Sequence, residues 1–285
     1  MKIGLLGTGL MGAPMALRLQ HSGFEVSAWN RTQQKLLPLA KAGIRTVDSA
    51  AEAIASTELT ITMLSDAAAL EAALFRDPAA LSGRTLLQMG TIAPSESREL
   101  CAKVQAADGD YLESPVLGSI PQVKSGSLIL MVGARPEQFD RQLPVLRCFG
   151  PSPELMGPVG TAAAAKLAMN QLIGSLTAAF SMSLGFVQKE GLDVEKFMSI
   201  VRESALYAPT FDKKLARMCD RNFSNPNFPT KHLLKDMNLF VQAAQAQGID
   251  ATVAAGVSQV ARNAITQGLA DGDYSAIYSA ISQRS

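Results

Sequence analysis

The sequence predicts an α/β domain with a doubly wound, mainly parallel sheet, followed by an all-helical domain. Three observations carry this. Short apolar runs alternate with helical patterns over residues 1–158. A Gly-rich turn, Gly7-Thr8-Gly9-Leu10-Met11-Gly12, joins the first run to the first helix. Beyond Gly160 the strand patterns stop and long Ala/Leu/Met-rich helical stretches take over. The expected division is therefore a Rossmann-type dinucleotide-binding domain over 1–158 and a helical substrate and oligomerisation domain over 159–285, opened by a long interdomain helix.

The elements follow in order. Residues 2–6 form an apolar strand, and Met15, Ala16 and Leu19 mark the buried face of the first helix. Residues 25–29 are the second strand, ending at Asn30-Arg31-Thr32. Residues 33–42 read as helix stopped by Gly43, 49–55 as a short helix, 59–64 as strand and 66–75 as helix. Residues 85–89 give the next strand, and 94–106 a helix with Pro94 near its start and Glu96 in its first turn. Residues 111–116 and 128–132 are strands flanking a Gly/Ser/Pro loop, 137–148 is helical, and 151–157 is an irregular Pro/Gly-rich link. Residues 161–190 have few breakers and predict one long helix, with at most a kink at Gly174. Helices over 194–203, 211–220, 231–247, 252–267 and 275–282 complete the chain.

Composition narrows the function. With 285 residues, 47% apolar and 18% charged, the chain can bury two cores and is not disordered. A net charge of +1 gives no polyanion-binding surface, so nucleic acid is not an expected partner. Apolar stretches are broken well before the roughly 20 residues that span a bilayer, so no membrane association is expected. The first strand begins at once, so no signal or transit peptide is expected. Three scattered cysteines (Cys101, Cys148, Cys219) point to a reducing, cytoplasmic setting. Two histidines, His21 and His232, make a zinc site improbable, and no metal is expected.

The Gly-rich turn gains meaning from its strand-turn-helix-strand setting. Gly7, Gly9 and Gly12 turn the chain and let its backbone approach a pyrophosphate seated on the helix N-terminus. NAD-binding units usually carry Asp or Glu after the second strand, to hold the ribose 2′-hydroxyl. Here that position is neutral Asn30, followed by Arg31, whose guanidinium can bind a 2′-phosphate or simply be solvated. NADP(H) is accordingly expected over NAD(H).

Lys166 and Asn170, four apart, share one face near the start of the long apolar helix. An ammonium and an amide placed so can hydrogen-bond one carbonyl or hydroxyl oxygen, and a desolvated lysine can protonate a developing alkoxide. Spacing alone leaves the alternative of a lysine that snorkels to solvent. The cleft between the domains is the expected substrate site.

These motifs together resemble the β-hydroxyacid dehydrogenases, which include 3-hydroxyisobutyrate dehydrogenase, tartronate semialdehyde reductase and the glyoxylate/succinic semialdehyde reductases. The resemblance covers essentially the whole chain. It rests on the Gly-rich turn, Asn30-Arg31-Thr32, Glu113-Ser114-Pro115-Val116-Leu117-Gly118-Ser119, Gly157-Pro158-Val159-Gly160, Lys166-x-x-x-Asn170 and Lys235-Asp236. It implies an NADPH-dependent reductase or dehydrogenase of small hydroxy- and oxo-acids or semialdehydes, with Lys166 as general acid/base and Asn170 orienting the reacting oxygen. The implied cofactor contacts are Gly7, Gly9, Leu10, Met11, Gly12, Asn30, Arg31, Thr32, Leu64, Thr91 and Lys235. Leu117, Gly118 and Ser119 would hold the substrate carboxylate beside Lys166 and Asn170. A homodimer or homotetramer is implied as well.

The chain departs from the family pattern in places. Many members read Pro-Val-Ser-Gly-Gly where this chain has Pro115-Val116-Leu117-Gly118-Ser119, so the hydroxyl moves and Leu117 adds bulk. Gly90-Thr91 replaces a familiar Ser-Thr pair, and Met182 stands where a Glu is frequent. Asp236 reads as the partner of a lysine or backbone donor rather than as an acid catalyst. Two alternatives share the architecture: an imine reductase, which generally carries Asp or Tyr in place of Lys166, and a non-catalytic NADP-binding interaction module, which loses the lysine.

Overall fold

A computed structural model of the chain describes residues 1–282; the last three positions of the expected helical domain, 283–285, lie outside them. The chain divides into two compact units, Met1–Lys166 and Leu167–Ser285.

The first unit is a nine-stranded sheet between helices. In chain order its elements are β1 (Lys2–Leu6), α1 (Gly12–His21), β2 (Glu25–Trp29), α2 (Leu37–Lys41), β3 (Arg45–Thr46), α3 (Ala50–Ala55), β4 (Leu59–Thr62) and α4 (Ala67–Leu74). Then come β5 (Thr85–Gln88), α5 (Pro94–Ala106), β6 (Asp110–Glu113), β7 (Val116–Leu117), α6 (Ile120–Ser125), β8 (Ile129–Gly133), α7 (Pro136–Phe149) and β9 (Glu154–Gly157). Strand order is β3-β2-β1-β4-β5-β6-β8-β7, with β9 on β8. The first six strands pair in parallel, whereas β8 runs antiparallel to β6 and β7. The order reverses between β1 and β4, and that switch point is where open α/β sheets bind ligands.

Both faces are covered, which is why the strands read as near-continuous apolar runs. Ile3, Leu5, Ile61 and Leu112 pack with Met15 and Leu19 of α1 and with Val145 and Phe149 of α7. Their neighbours Leu6, Leu86 and Tyr111 point the other way, onto Ile54, Leu70, Leu100 and Val104 of α3, α4 and α5.

Four local expectations change. The expected strand 111–116 is two strands, β6 and β7, separated by Ser114-Pro115, because Pro cannot donate to a ladder. The following loop contains α6, with Pro at its start and Gly126 closing it in the left-handed conformation (φ +70°). The link 151–157 contains β9, which pairs in parallel with β8 beyond Pro153. The two-residue β3 was not anticipated, because an exposed Arg-Thr pair carries no apolar signal.

The second unit is helical, as expected. It is built on α8 (Thr161–Lys189), which begins in the first unit, with α9 (Val194–Glu203), α10 (Pro209–Asp220), α11 (Thr230–Ala246), α12 (Thr252–Thr266) and α13 (Ile277–Ile281). One core joins Ala178 to Leu233, Met237, Val257, Ala261 and Ile277, and a second joins Phe180 and Leu184 to Met198, Phe211 and Met218. α8 continues through Gly174, whose role is packing: a Cβ there would lie 2.8 Å from Met237 Sδ.

Candidate active site and cofactor cradle

The Gly-rich turn lies between the ends of β1 and β4, and its three glycines have three different surroundings. Gly7 adopts φ +97°, and a Cβ on it would lie 2.4 Å from the Met63 carbonyl oxygen. A Cβ on Gly12 would lie 1.8 Å from the Gly7 carbonyl oxygen, so the start of α1 rests directly on the turn. Gly9 is exposed, and a Cβ there would have nothing within 4 Å. Gly7 and Gly12 are thus needed by the fold, whereas Gly9 keeps a surface open. Met11, the N-cap of α1, gives no side-chain cap, and the first turn of the helix holds no acidic residue. An open glycine beside an uncapped helix N-terminus fits a pyrophosphate. Leu10 is exposed and Met11 half-buried against the sheet core.

Asn30 ties the cradle to β2. Its Oδ1 accepts the Thr8 N–H at 3.0 Å, and its Nδ2 donates to the Thr32 carbonyl at 3.0 Å. The Thr8 hydroxyl is buried with no hydrogen-bond partner among the described residues, an orphaned donor facing the same turn. Arg31 and Thr32 are exposed beside it. Leu64 lies between strand ends: its Cδ2 would be 2.9 Å from a Cβ on Gly7, and its carbonyl oxygen 2.7 Å from a Cβ on Gly90. A Cβ on Gly90 would thus meet backbone, so the local packing of this chain suits glycine there. Thr91 follows, half-buried.

In the 117–119 loop, Gly118 adopts φ +126° and would meet Leu128 Cδ2 at 2.6 Å if it bore a Cβ. The Ser119 N–H and hydroxyl both donate to Gln122 Oε1 at 2.9 Å. The Ser119 hydroxyl is therefore engaged within its own helix start, and Leu117 is half-buried beside it.

Lys166 sits six residues into α8, and the start of that helix is held by a residue given no separate role in the sequence reading. Glu113, at the end of β6 and fully buried, accepts the N–H of Gly160 at 2.8 Å and of Ala163 at 3.0 Å. The Ser97 hydroxyl also bonds Glu113 and lies 2.8 Å from the Tyr111 hydroxyl. Burial pushes the Tyr111 phenol far above its ordinary range, so it stays a neutral donor. The available signal was a carboxylate at the end of an apolar strand, a position that demands partners.

In the second unit the structure brings Asn170, Asp236 and Lys235 together. Asn170 and Asp236 are each 2% exposed. Asn170 Nδ2 donates to Asp236 Oδ2 at 2.6 Å, and Lys235 Nζ lies 3.0 Å from Asp236 Oδ1. Asp236 is thus a lysine's partner, as expected, and also the partner of Asn170. His232, one turn before on α11, is held below the usual imidazole range by burial and by Lys235. Met182 is 58% exposed.

Burial pushes the thiols of Cys101 and Cys219 up, away from the reactive thiolate. Among the described residues no group of three or more His, Cys, Asp or Glu could hold a metal ion, and no helix is long and apolar enough to cross a membrane.

A switch-point glycine turn beneath an uncapped helix, in a sheet of this order, defines a dinucleotide-binding fold of the Rossmann class. Comparison with known proteins gives the family. Residues 2–157 match the NAD binding domain of 6-phosphogluconate dehydrogenase, and residues 160–281 match the NAD-binding region of NADP-dependent 3-hydroxyisobutyrate dehydrogenase. The chain is 32% identical to glyoxylate/succinic semialdehyde reductase 1 of Arabidopsis thaliana, over 99% of this chain and 98% of that protein. It is 30% identical to 2-hydroxy-3-oxopropionate reductase of Escherichia coli, over 99% and 97%. Its fold superposes on 3-hydroxyisobutyrate dehydrogenase of Mycobacterium tuberculosis with L-serine at a TM-score of 0.88 and 24% identity, covering 97% of each chain. The chain belongs to the β-hydroxyacid dehydrogenase family, whose members are nicotinamide-dependent oxidoreductases acting on hydroxyl groups.

Proposed function

We propose that the chain is an NADPH-preferring reductase/dehydrogenase of small oxo-acids, semialdehydes and β-hydroxyacids, with glyoxylate and succinic semialdehyde as first substrates for reduction and 3-hydroxyisobutyrate next, taken in the oxidising direction. The observation that carries this is the pair Lys166 and Asn170 on one face of α8, in a family of hydroxyacid oxidoreductases. When bound, the reduced nicotinamide supplies the hydride. Lys166 gives a proton to the substrate oxygen as it becomes an alkoxide, and Asn170 orients that oxygen. Gly9, the N-terminus of α1 and Arg31 hold the phosphates, Arg31 meeting the 2′-phosphate that sets NADPH above NADH. Leu10, Met11, Asn30, Thr32, Leu64, Thr91 and Lys235 complete the cofactor contacts, and Leu117, Gly118 and Ser119 face the substrate carboxylate. Exposed apolar side chains along α8 (Leu172, Met182, Phe186) support a homodimer or homotetramer, and the three free cysteines support a cytoplasmic setting.

The test is NADPH oxidation by purified protein against glyoxylate, succinic semialdehyde, methylglyoxal and tartronate semialdehyde, beside Lys166→Ala. The expected result is wild-type turnover, a kcat about 100-fold or more lower in the variant, and unchanged NADPH affinity. Turnover untouched by the substitution removes Lys166 as proton donor. Silence on every substrate with NADPH still bound favours the binding-module alternative.

A further inference from the structure

The contact between Asn170 and Asp236 decides more than the stability of two helices. A carboxylate only accepts hydrogen bonds, whereas an asparagine amide has a donor end and an acceptor end of nearly equal shape. The end of Asn170 that faces Asp236 Oδ2 at 2.6 Å is therefore the NH2, and Oδ1 is turned away from it. Both residues are 2% exposed, so water cannot compensate a flipped amide, which would set one oxygen against another. Lys235 Nζ lies 3.0 Å from Asp236 Oδ1 on the same helix, an ion pair on the carboxylate oxygen that Asn170 does not use.

We propose that Asp236 is a positioning residue of the reaction, acting through Asn170. It fixes which end of the amide is presented on the face of α8 shared with Lys166, and so which hydrogen bond Asn170 makes to the reacting oxygen. The proposal rests on Lys166 and Asn170 forming the reaction centre. Asp236 itself touches neither substrate nor cofactor in this role. Its effect should vanish when Asn170 is absent.

The experiment is a double-mutant cycle on the full chain, with NADPH and the best substrate of the panel above: wild type, D236N, N170A and D236N/N170A. D236N, nearly isosteric, should lower kcat about tenfold or more while leaving the KM for NADPH within about threefold. D236N/N170A should be no slower than N170A alone. The reciprocal variant N170D/D236N rebuilds the pair with donor and acceptor exchanged, so its melting temperature should recover towards wild type while kcat stays low. That variant shows whether the pair is rebuilt; a merely structural contact is told apart by D236N, which would then lose melting temperature and keep its kcat. Losses that multiply in D236N/N170A, wild-type kcat in D236N, or recovery of kcat together with stability in the reciprocal variant would each overturn the proposal. Wild-type protein silent on every substrate would overturn the reductase reading and this proposal with it; wild-type turnover with multiplying losses overturns this proposal alone.

Discussion

The carboxylate of Glu113 accepts the backbone N–H of Gly160 at 2.8 Å, across 47 residues of chain. The first turn of α8 carries no acidic residue of its own, so β6 supplies the cap for a helix of 29 residues. The same oxygen takes the Ala163 N–H, and the other oxygen takes the Ser97 hydroxyl. A buried carboxylate with three donors is stabilising because each bond is charge-assisted, and removing it leaves those donors without partners. Glu113→Ala should cost about 3 kcal/mol and Glu113→Gln about half that, read from urea unfolding followed by circular dichroism. A loss below about 1 kcal/mol in Glu113→Ala would mean that α8 is held by its packing alone.

Two glycines of one motif should respond in opposite ways. Gly12→Ala places a methyl 1.8 Å from the Gly7 carbonyl oxygen, so the turn must shift and stability should fall by about 2 kcal/mol or more. Gly9→Ala meets nothing within 4 Å and should melt like wild type. Its methyl instead occupies the surface that a pyrophosphate approaches, so NADPH affinity should drop about tenfold or more by fluorescence titration. Equal NADPH binding in Gly9→Ala and wild type would remove the turn from the cofactor site.

The contrast between those glycines also explains what could be read from the chain before its structure. Strand, turn, helix and the long α8 are local patterns, and apolar spacing specifies them directly. The α6 start at Ser119 and Pro121 was locally encoded too, but Gly118 and Gly126 on either side made the segment look irregular. β3 and β9 are short edge strands whose pairing comes from neighbours and not from their own composition. The partners of Glu113 and the link from Asn170 to Asp236 are tertiary contacts over 47 and 66 residues, which no spacing rule encodes. That Lys166 and Asn170 fall on one helix was legible, because an unbroken helical pattern puts four-apart residues on one face. The engagement of Ser119 with Gln122 was not, since a capping hydroxyl and a ligand-binding hydroxyl look alike in sequence.

Arg31 carries the cofactor preference in this reading, because Asn30 already uses Oδ1 for Thr8 and Nδ2 for Thr32. Arg31→Ala should lower kcat/KM for NADPH by roughly 10–100-fold and change that for NADH less than threefold, as expected for loss of a charge-assisted phosphate contact. Added salt should weaken NADPH binding in wild type more than in the variant. If both cofactors lose equally, Arg31 supports the turn and does not read the 2′-phosphate.

His232 gives a pH dependence whose sign follows from its surroundings. Burial is the main cause of its depressed pKa, with Lys235 and Lys231 adding to it and Asp236 and Asp271 opposing it. Above its ordinary value of 6.5 the imidazole is neutral in both folded and unfolded chains, and its contribution to stability is complete. As pH falls below that value the unfolded chain takes up a proton that the folded protein refuses, so stability is lost towards the lower folded pKa. Melting curves at pH 7.5 and 5.5 should therefore separate more in wild type than in His232→Gln, which cannot titrate. The substitution should leave the pH 7.5 melt within a few degrees, because Gln keeps a polar group against Phe228, whose ring centroid is 6.3 Å from that of His232. Identical pH responses in the two proteins would mean that the acid sensitivity arises elsewhere in the chain and not at His232.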